Sequence, residues 1–124
     1  MSPKRILIIE DEPEIADNLA SLLAAKGHKV SSCLEGAEGV ARARKEPFDL
    51  LLLDVMLPRL SGFDVCKLLR ADPKTAKLKI IMVTGLGRMG DVEEAFRAGA
   101  DDYLIKPFDS TRLFHKIEKV LAGA

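Results

Sequence analysis

Five short apolar segments, separated by longer amphipathic stretches, constrain the fold of this chain more than any other feature of its sequence. Each is three or four residues long and rich in Ile, Leu and Val, and they lie at 6–9, 30–33, 50–53, 80–83 and 103–105. Strands that are apolar on both faces are typical of parallel sheets with helices on either side. Ser31 and Ser32 make the second segment the most polar, so we expect it at an edge of the sheet.

Five helical patterns follow these segments, and several of their ends carry recognisable residues. Pro13 suits the first helical position, and Ser61 and Asp109 suit N-caps. Asp91 with Glu94 resembles a capping box, which predicts that the fourth helix begins just after Asp91. Strands that alternate with helices require right-handed crossovers. The sequence therefore predicts an α/β fold, a (βα)5 doubly wound parallel sheet of five strands.

Length and charge narrow the class of protein further. The 124 residues fit a single domain, which we expect to span 1–124 with its core at about 4–121. Lys plus Arg number 19, and Asp plus Glu number 19 as well. This balance predicts no bulk attraction to nucleic acid or to an anionic membrane surface.

Three further features indicate the compartment. No apolar run approaches the ~20 residues of a membrane span, and the N-terminal segment turns acidic too early for a secretory signal. Cys33 and Cys66 form no CxxC pair, so we expect both to be buried, reduced thiols. Together these features predict a soluble cytoplasmic protein.

Chemically versatile side chains stand where four of the five strands end. Glu10 and Asp11 follow the first segment, Asp54 the third, Thr84 the fourth and Lys106 the fifth. Parallel sheets bind ligands outside the carboxyl ends of their strands, so we expect these side chains to converge. Converging carboxylates repel one another, and a hard divalent cation such as Mg²⁺ relieves that repulsion. An ammonium and a hydroxyl beside them suit a phosphoryl group.

The paired carboxylates permit more than one chemistry. General acid and base catalysis of glycoside hydrolysis is disfavoured, because the chain offers no aromatic platform for a sugar: Trp is absent and Tyr103 is the only tyrosine. A carboxylate also acts as a nucleophile toward phosphorus and forms an aspartyl phosphate. Asp54 ends the most apolar segment and is the best candidate for that nucleophile.

Four segments, in order, carry a resemblance to a known family. They are ILIIEDEPEI, DLLLLDVMLPRLSGFDV, MVTG and AGADDYLIKPFD. Over residues 4–121 the chain is similar to the receiver domain of two-component response regulators. The resemblance implies a flavodoxin-like sheet with strand order 2-1-3-4-5. It also implies a regulatory phosphoacceptor domain rather than an enzyme, one that catalyses only its own phosphorylation and slow dephosphorylation.

The resemblance further implies a metal site. Asp11 and Asp54 would bind Mg²⁺ directly, Glu10 would assist through water, and the backbone carbonyl of Met56 would complete the protein ligands; Mn²⁺ would be able to replace Mg²⁺. Glu10 stands where the family more often has Asp.

Roles in phosphorylation follow from the same resemblance. Asp54 would accept a phosphoryl group from a partner, either a sensor histidine kinase or a phosphotransfer protein. Thr84 and Lys106 would then contact the phosphoryl oxygens, and Lys106–Pro107 would be a cis peptide. Tyr103 occupies the position of an aromatic switch that turns inward when the threonine moves toward the phosphate.

The function predicted from these segments is a phosphorylation-activated signalling switch. We expect a downstream protein to bind the face formed by helix 4, strand 5 and helix 5, and the chain to be a monomer or a dimer that forms on phosphorylation. Two alternatives stay open: a receiver-like adaptor regulated without phosphate, and a phosphohydrolase with an aspartyl nucleophile. The DxD motif that haloacid-dehalogenase-like enzymes need is replaced here by Glu10-Asp11-Glu12.

Met56 and Leu86, which flank the phosphoryl position, predict a long-lived phosphorylated form. Neither side chain hydrogen-bonds an attacking water, whereas an acid or an amide does. We expect Met56→Asn and Leu86→Glu each to accelerate loss of the phosphoryl group, measured as the half-life of the phosphorylated protein after the donor is removed. Equal half-lives in the parent and both variants would contradict this prediction.

Overall fold

The computed structural model describes residues 2–85 and 89–122, and these residues form a sheet of five strands flanked by five helices. The strands are β1 Arg5–Ile9, β2 Lys29–Cys33, β3 Leu50–Leu53, β4 Lys79–Thr84 and β5 Asp102–Ile105. The helices are α1 Pro13–Ala25, α2 Gly36–Lys45, α3 Gly62–Ala71, α4 Met89–Ala98 and α5 Ser110–Ala122.

All neighbouring strands are parallel, and their order across the sheet is β2-β1-β3-β4-β5. This order confirms the predicted doubly wound fold. The polar second segment forms the edge strand β2, whereas β3 lies at the centre and is fully buried. Ile9 pairs with Leu53, and Leu53 pairs with Met82. The carboxyl ends of β1, β3 and β4 therefore lie side by side.

Two layers of apolar side chains cover the faces of the sheet. One layer packs around Leu51, Leu53 and Met82, and the other around Leu52, Ile81 and Val83. Because consecutive residues of a strand point to opposite faces, strands buried on both faces supply both layers. This explains why the apolar segments are continuous rather than alternating.

The first of these layers contains both cysteines, Cys33 and Cys66, which are free and buried. Burial raises the pKa of the Cys66 thiol to about 11. The predicted burial of both thiols is confirmed.

Two of the predicted helix caps are present in the structure. The Ser61 hydroxyl accepts a hydrogen bond from the backbone N–H of Asp64 at 3.2 Å. An Asp109 carboxylate oxygen accepts one from the backbone N–H of Arg112 at 2.8 Å. These bonds satisfy backbone donors that the first turn of a helix leaves without an intrahelical acceptor.

The predicted cap of the fourth helix is wrong. Helix α4 begins at Met89, so Asp91 lies inside its first turn instead of preceding it. Glu94 does not complete a capping box, since its carboxylate pairs with Lys67 at 3.7 Å and with Arg97 at 3.1 Å. An aspartate in the first turn still interacts favourably with the helix dipole, which explains why the local sequence resembles a cap.

No helix in the described part of the chain is both long enough and apolar enough to cross a lipid bilayer.

Candidate functional site

Backbone hydrogen bonds at the carboxyl edge of the sheet fix the starting positions of the candidate side chains. The N–H of Asp54 donates to the carbonyl of Ile9 at 3.0 Å, which ties the end of β3 to the end of β1. The N–H of Lys106 donates to the carbonyl of Thr84 at 2.8 Å, which ties β5 to β4 in the same way. The site is therefore built directly on the rigid sheet.

The Lys106 ammonium joins two buried carboxylates. Its Nζ lies 2.8 Å from Glu10 Oε1 and 3.4 Å from Asp54 Oδ2. Glu10 is 2% exposed and Asp54 is 4% exposed. Burial by itself would lower the pKa of Lys106, but its hydrogen bond to Glu10 and the charges of Asp54 and Glu10 outweigh burial, and the pKa is raised. Lys106 is thus a stable cation between two anions that have little contact with water.

A second group of carboxylates opens toward solvent beside this ion pair. Oxygen atoms of Glu10, Asp11 and Glu12 lie within 4.8 Å of one another. The Glu12 N–H donates to Glu10 Oε2 at 3.2 Å, which orients the glutamate between its two partners. Burial, followed by the hydrogen bond to Glu10 and the charge of Glu10, raises the pKa of Asp11. Negative charge is therefore concentrated here.

This donor set fits a divalent cation. Three formal negative charges, on Glu10, Asp11 and Asp54, stand against the single positive charge of Lys106. The atoms that these three residues offer to a metal ion are all carboxylate oxygens. Oxygen ligands of this kind are those that Mg²⁺ prefers. Asp54 does not belong to the group of three that the structure brings within 4.8 Å, and its Oδ2 faces Lys106. Glu12, to which the sequence analysis gave no role, does belong to it.

The remaining candidate residues lie around this pocket. Thr84 is buried at the end of β4 and pairs in register with Ile105. The Lys106–Pro107 peptide is cis. The Met56 side chain is 64% exposed, and its backbone N–H donates to Asp54 Oδ1 at 3.2 Å. Leu86 lies outside the described residues.

Tyr103 lies on β5 and is half-buried. It pairs in register with Met82 of the neighbouring strand β4. Its ring meets the ring of Phe96 edge to face, with centroids 5.8 Å apart and planes at 82°. The structure thus places Tyr103 between the sheet and helix α4.

Gly62 packs against the backbone of the site, and no separate role was predicted for it from the sequence. A Cβ atom at this position would lie 2.2 Å from the Asp54 carbonyl oxygen and 2.7 Å from the Cα of Val55. Both atoms belong to the backbone, so neither moves without displacing the strand end. The first residue of α3 packs directly against the Asp54 backbone, and only glycine fits.

Comparisons with known proteins agree with this fold. Residues 6–118 match the model of the response regulator receiver domain. The chain is 42% identical over 117 residues to the DNA-binding dual master transcriptional regulator RpaA of Synechocystis. That alignment covers 94% of this chain but 48% of RpaA, so the chain spans about half the length of this relative.

A protein and a solved receiver domain, both of Pseudomonas aeruginosa, align with this chain over nearly their whole length. Protein PilH is 40% identical over 119 residues, which cover 96% of this chain and 98% of PilH. The receiver domain of sensor histidine kinase PA1611, solved with a magnesium ion coordinated in its active site cleft, is similar with a TM-score of 0.90 and 29% identity. That alignment covers 98% of this chain and 99% of the solved chain.

A parallel five-stranded sheet of order 2-1-3-4-5 with a helix after each strand is the CheY-like flavodoxin fold. This chain belongs to the response regulator receiver domain family of two-component systems. Switching by phosphorylation is the general function of that family, and its members are regulatory rather than classical enzymes. Receiver domains interact with histidine kinases and with downstream effectors.

The close approach of Gly62 to Asp54 yields a direct test. We expect Gly62→Ala to destabilise the fold by about 1–3 kcal/mol, because the added methyl group overpacks against immobile backbone. Chemical denaturation measures the change. Gly90→Ala is the matched control, since a Cβ there meets nothing within 4 Å and alanine favours a helix. The packing argument is wrong if Gly62→Ala is as resistant to denaturant as the parent, or if Gly90→Ala is destabilised as much as Gly62→Ala.

Proposed function

We propose that this chain is a signalling switch in which Asp54 accepts a phosphoryl group from a histidine kinase or a phosphotransfer protein. The observation that carries this proposal is the Lys106 ammonium between the buried carboxylates of Glu10 and Asp54. An ion pair on a solvated surface would not be buried in this way. A purely structural ion pair would not require the further carboxylates of Asp11 and Glu12 beside it.

The two carboxylate oxygens of Asp54 have different hydrogen-bond partners. Oδ1 accepts the backbone N–H of Met56, whereas Oδ2 faces Lys106. In the transfer, an Asp54 oxygen forms a bond to phosphorus while the bond between phosphorus and the imidazole nitrogen of the donor breaks. The electron pair of that bond stays on the imidazole, which takes up a proton. Lys106 offsets the charge on the phosphoryl oxygens, the usual role of an ammonium in phosphoryl transfer.

Asp11 and Asp54 would hold the magnesium ion, with the backbone carbonyl of Met56 as a further ligand and Glu10 acting through water. When bound, the cation supplies charge neutralisation for the carboxylates and for the incoming phosphoryl oxygens. Mn²⁺ would replace it, since it also accepts oxygen ligands. The excess of carboxylate over ammonium in the pocket supports this assignment.

Lys106 and Thr84 would report the phosphoryl group to the rest of the domain. Lys106 pairs with Glu10 at 2.8 Å, and a phosphoryl group on Asp54 would offer it a competing anion. Thr84 lies at the end of β4, and its carbonyl accepts the Lys106 N–H, so movement of either residue reaches both strands. Phosphorylation switches of this kind act through local charge with a distant effect.

The face of α4, β5 and α5 would transmit the signal to a downstream protein. It presents exposed Phe96 and Ile105, which are 45% and 36% accessible, beside the half-buried Tyr103. We propose that the domain, with its core at about 4–121, acts through this face in the cytoplasm, without binding nucleic acid or membrane itself. It would act as a monomer or as a dimer that forms on phosphorylation.

Phosphorylation of Asp54 predicts a clear difference between two aspartate variants. With acetyl phosphate and Mg²⁺, intact-mass spectrometry should show one phosphoryl group per parent chain. Asp54→Asn should retain less than about a tenth of that labelling, because an amide is a poor nucleophile. Asp49→Asn is the matched control and should label as the parent does, since Asp49 immediately precedes the opposite end of the same strand.

Other outcomes of this experiment favour the alternatives. A parent that takes up no phosphoryl group would favour an adaptor regulated without phosphate. Release of many equivalents of inorganic phosphate per chain would favour a phosphohydrolase. Equal labelling of Asp54→Asn and the parent would refute the assignment of the phosphoacceptor.

A further inference from the structure

Tyr103 is held by three side chains that we call the Tyr103 clamp: Asp102, Lys116 and Phe96. The Lys116 Nζ lies 5.2 Å from the centroid of the Tyr103 ring, within the range of a cation–π interaction. The Phe96 ring meets the same tyrosine ring edge to face, at 5.8 Å between centroids. Among the described residues, none hydrogen-bonds the Tyr103 hydroxyl, so contacts of the ring itself set its position.

Asp102 fixes the lysine of the clamp. It is 6% exposed, and its Oδ1 accepts hydrogen bonds from Lys116 Nζ at 3.0 Å and from the backbone N–H of Tyr103 at 2.8 Å. One buried oxygen therefore organises both the backbone of Tyr103 and the ammonium over its ring. Lys116 is the nearer of two cations beside this buried carboxylate, at 3.0 Å against 4.0 Å for Lys119 Nζ, so its pairing with Asp102 opposes movement of the ammonium with the ring.

The other end of Lys116 is fixed by the packing of α5. Leu113 and Ile117 of that helix are buried against the sheet, and Ile117 is the next residue after Lys116. The position of the Lys116 backbone is thus set by the core and the position of its ammonium by Asp102. The cation over the ring is part of a rigid arrangement rather than one orientation of a mobile surface chain.

We propose that Lys116 is a positioning residue that holds Tyr103 in its half-exposed position and thereby sets how readily this domain switches. The inference rests on the proposed function and on the expectation, implied by the resemblance to receiver domains, that Tyr103 turns inward when Thr84 moves toward the phosphoryl group. β5 carries Tyr103 and pairs with β4, which ends at Thr84. An inward ring leaves the Lys116 ammonium and the Phe96 edge, and Asp102 prevents the ammonium from following. The clamp therefore opposes activation.

The sequence offers a direct reporter of this movement, because Tyr103 is the only tyrosine. Protein made with ring-labelled tyrosine gives one set of ring NMR signals. In the parent, beryllofluoride with Mg²⁺ should move these signals from a free position to a bound position. In Lys116→Met, which removes the charge but keeps an unbranched apolar chain, the signals of the free protein should already lie displaced toward the bound position.

The same variant should bind beryllofluoride about two- to fivefold more tightly than the parent, as expected for the loss of one partly exposed cation–π interaction. Lys119→Met is the matched control. It removes the same charge from the same helix, 4.0 Å from Asp102 Oδ2, and Lys119 makes no ring contact among the described residues. Its signals and its affinity should equal those of the parent, and Lys116→Arg should restore both.

A second variant keeps the test independent of the buried charge. Phe96→Leu removes the edge contact without unpairing Asp102, and it should displace the tyrosine signals in the same direction as Lys116→Met. The clamp is refuted if both variants keep the parent's signals and affinity, or if Lys119→Met changes them as much as Lys116→Met does. A parent that does not respond to beryllofluoride would instead refute the proposed function, and the clamp with it.

Discussion

The ion pair of Lys106 with Glu10 and Asp54 is the interaction on which the rest of this molecule depends. Two carboxylates at the end of a parallel sheet, 2% and 4% exposed, are costly to keep charged unless a cation compensates them. Lys106 follows the carboxyl end of β5 and provides that compensation across the intervening strand β4. Removing the ammonium would leave both buried carboxylates uncompensated, and breaking a buried ion pair in this way typically costs about 3–5 kcal/mol.

This ion pair joins the fold to its chemistry. The lysine compensates only part of the negative charge, and the group of Glu10, Asp11 and Glu12 adds more at the open side of the pocket. Residues that follow three different strands, β1, β3 and β5, meet at one edge of the sheet. The negative charge of their carboxylates exceeds the positive charge of the lysine. In the proposed function, a divalent cation and a phosphoryl group would both find complementary partners at this edge of the sheet.

Most of the fold and the composition of the site could be predicted from the sequence. The continuous apolar segments identified all five strands, and Ser31 and Ser32 identified the edge strand, because a strand that is covered on both faces tolerates no such polarity. The residues at the strand ends followed from topology alone, since parallel strands bring their carboxyl ends together. The resemblance to receiver domains then supplied roles that topology does not.

What could not be predicted depends on contacts between distant residues. The start of α4 was misplaced because Asp91 and Glu94 match a cap locally, while Glu94 in fact pairs with Lys67 of α3. Gly62 was visible as a glycine, but its approach to the Asp54 backbone is a tertiary contact. The cation over Tyr103 likewise requires that β5 and α5 pack together, and no local pattern encodes it.

Because the carboxylates of this pocket outnumber its ammonium, we expect the folded domain to bind a divalent cation. The most direct measurement is the midpoint of thermal unfolding as a function of Mg²⁺ concentration. The midpoint should rise by about 4–6 °C at ten times the dissociation constant, since a ligand of the folded state stabilises it by mass action. Asp11→Asn should lose most of that rise. A midpoint independent of Mg²⁺, or an equal rise in Asp11→Asn, would contradict cation binding by this pocket.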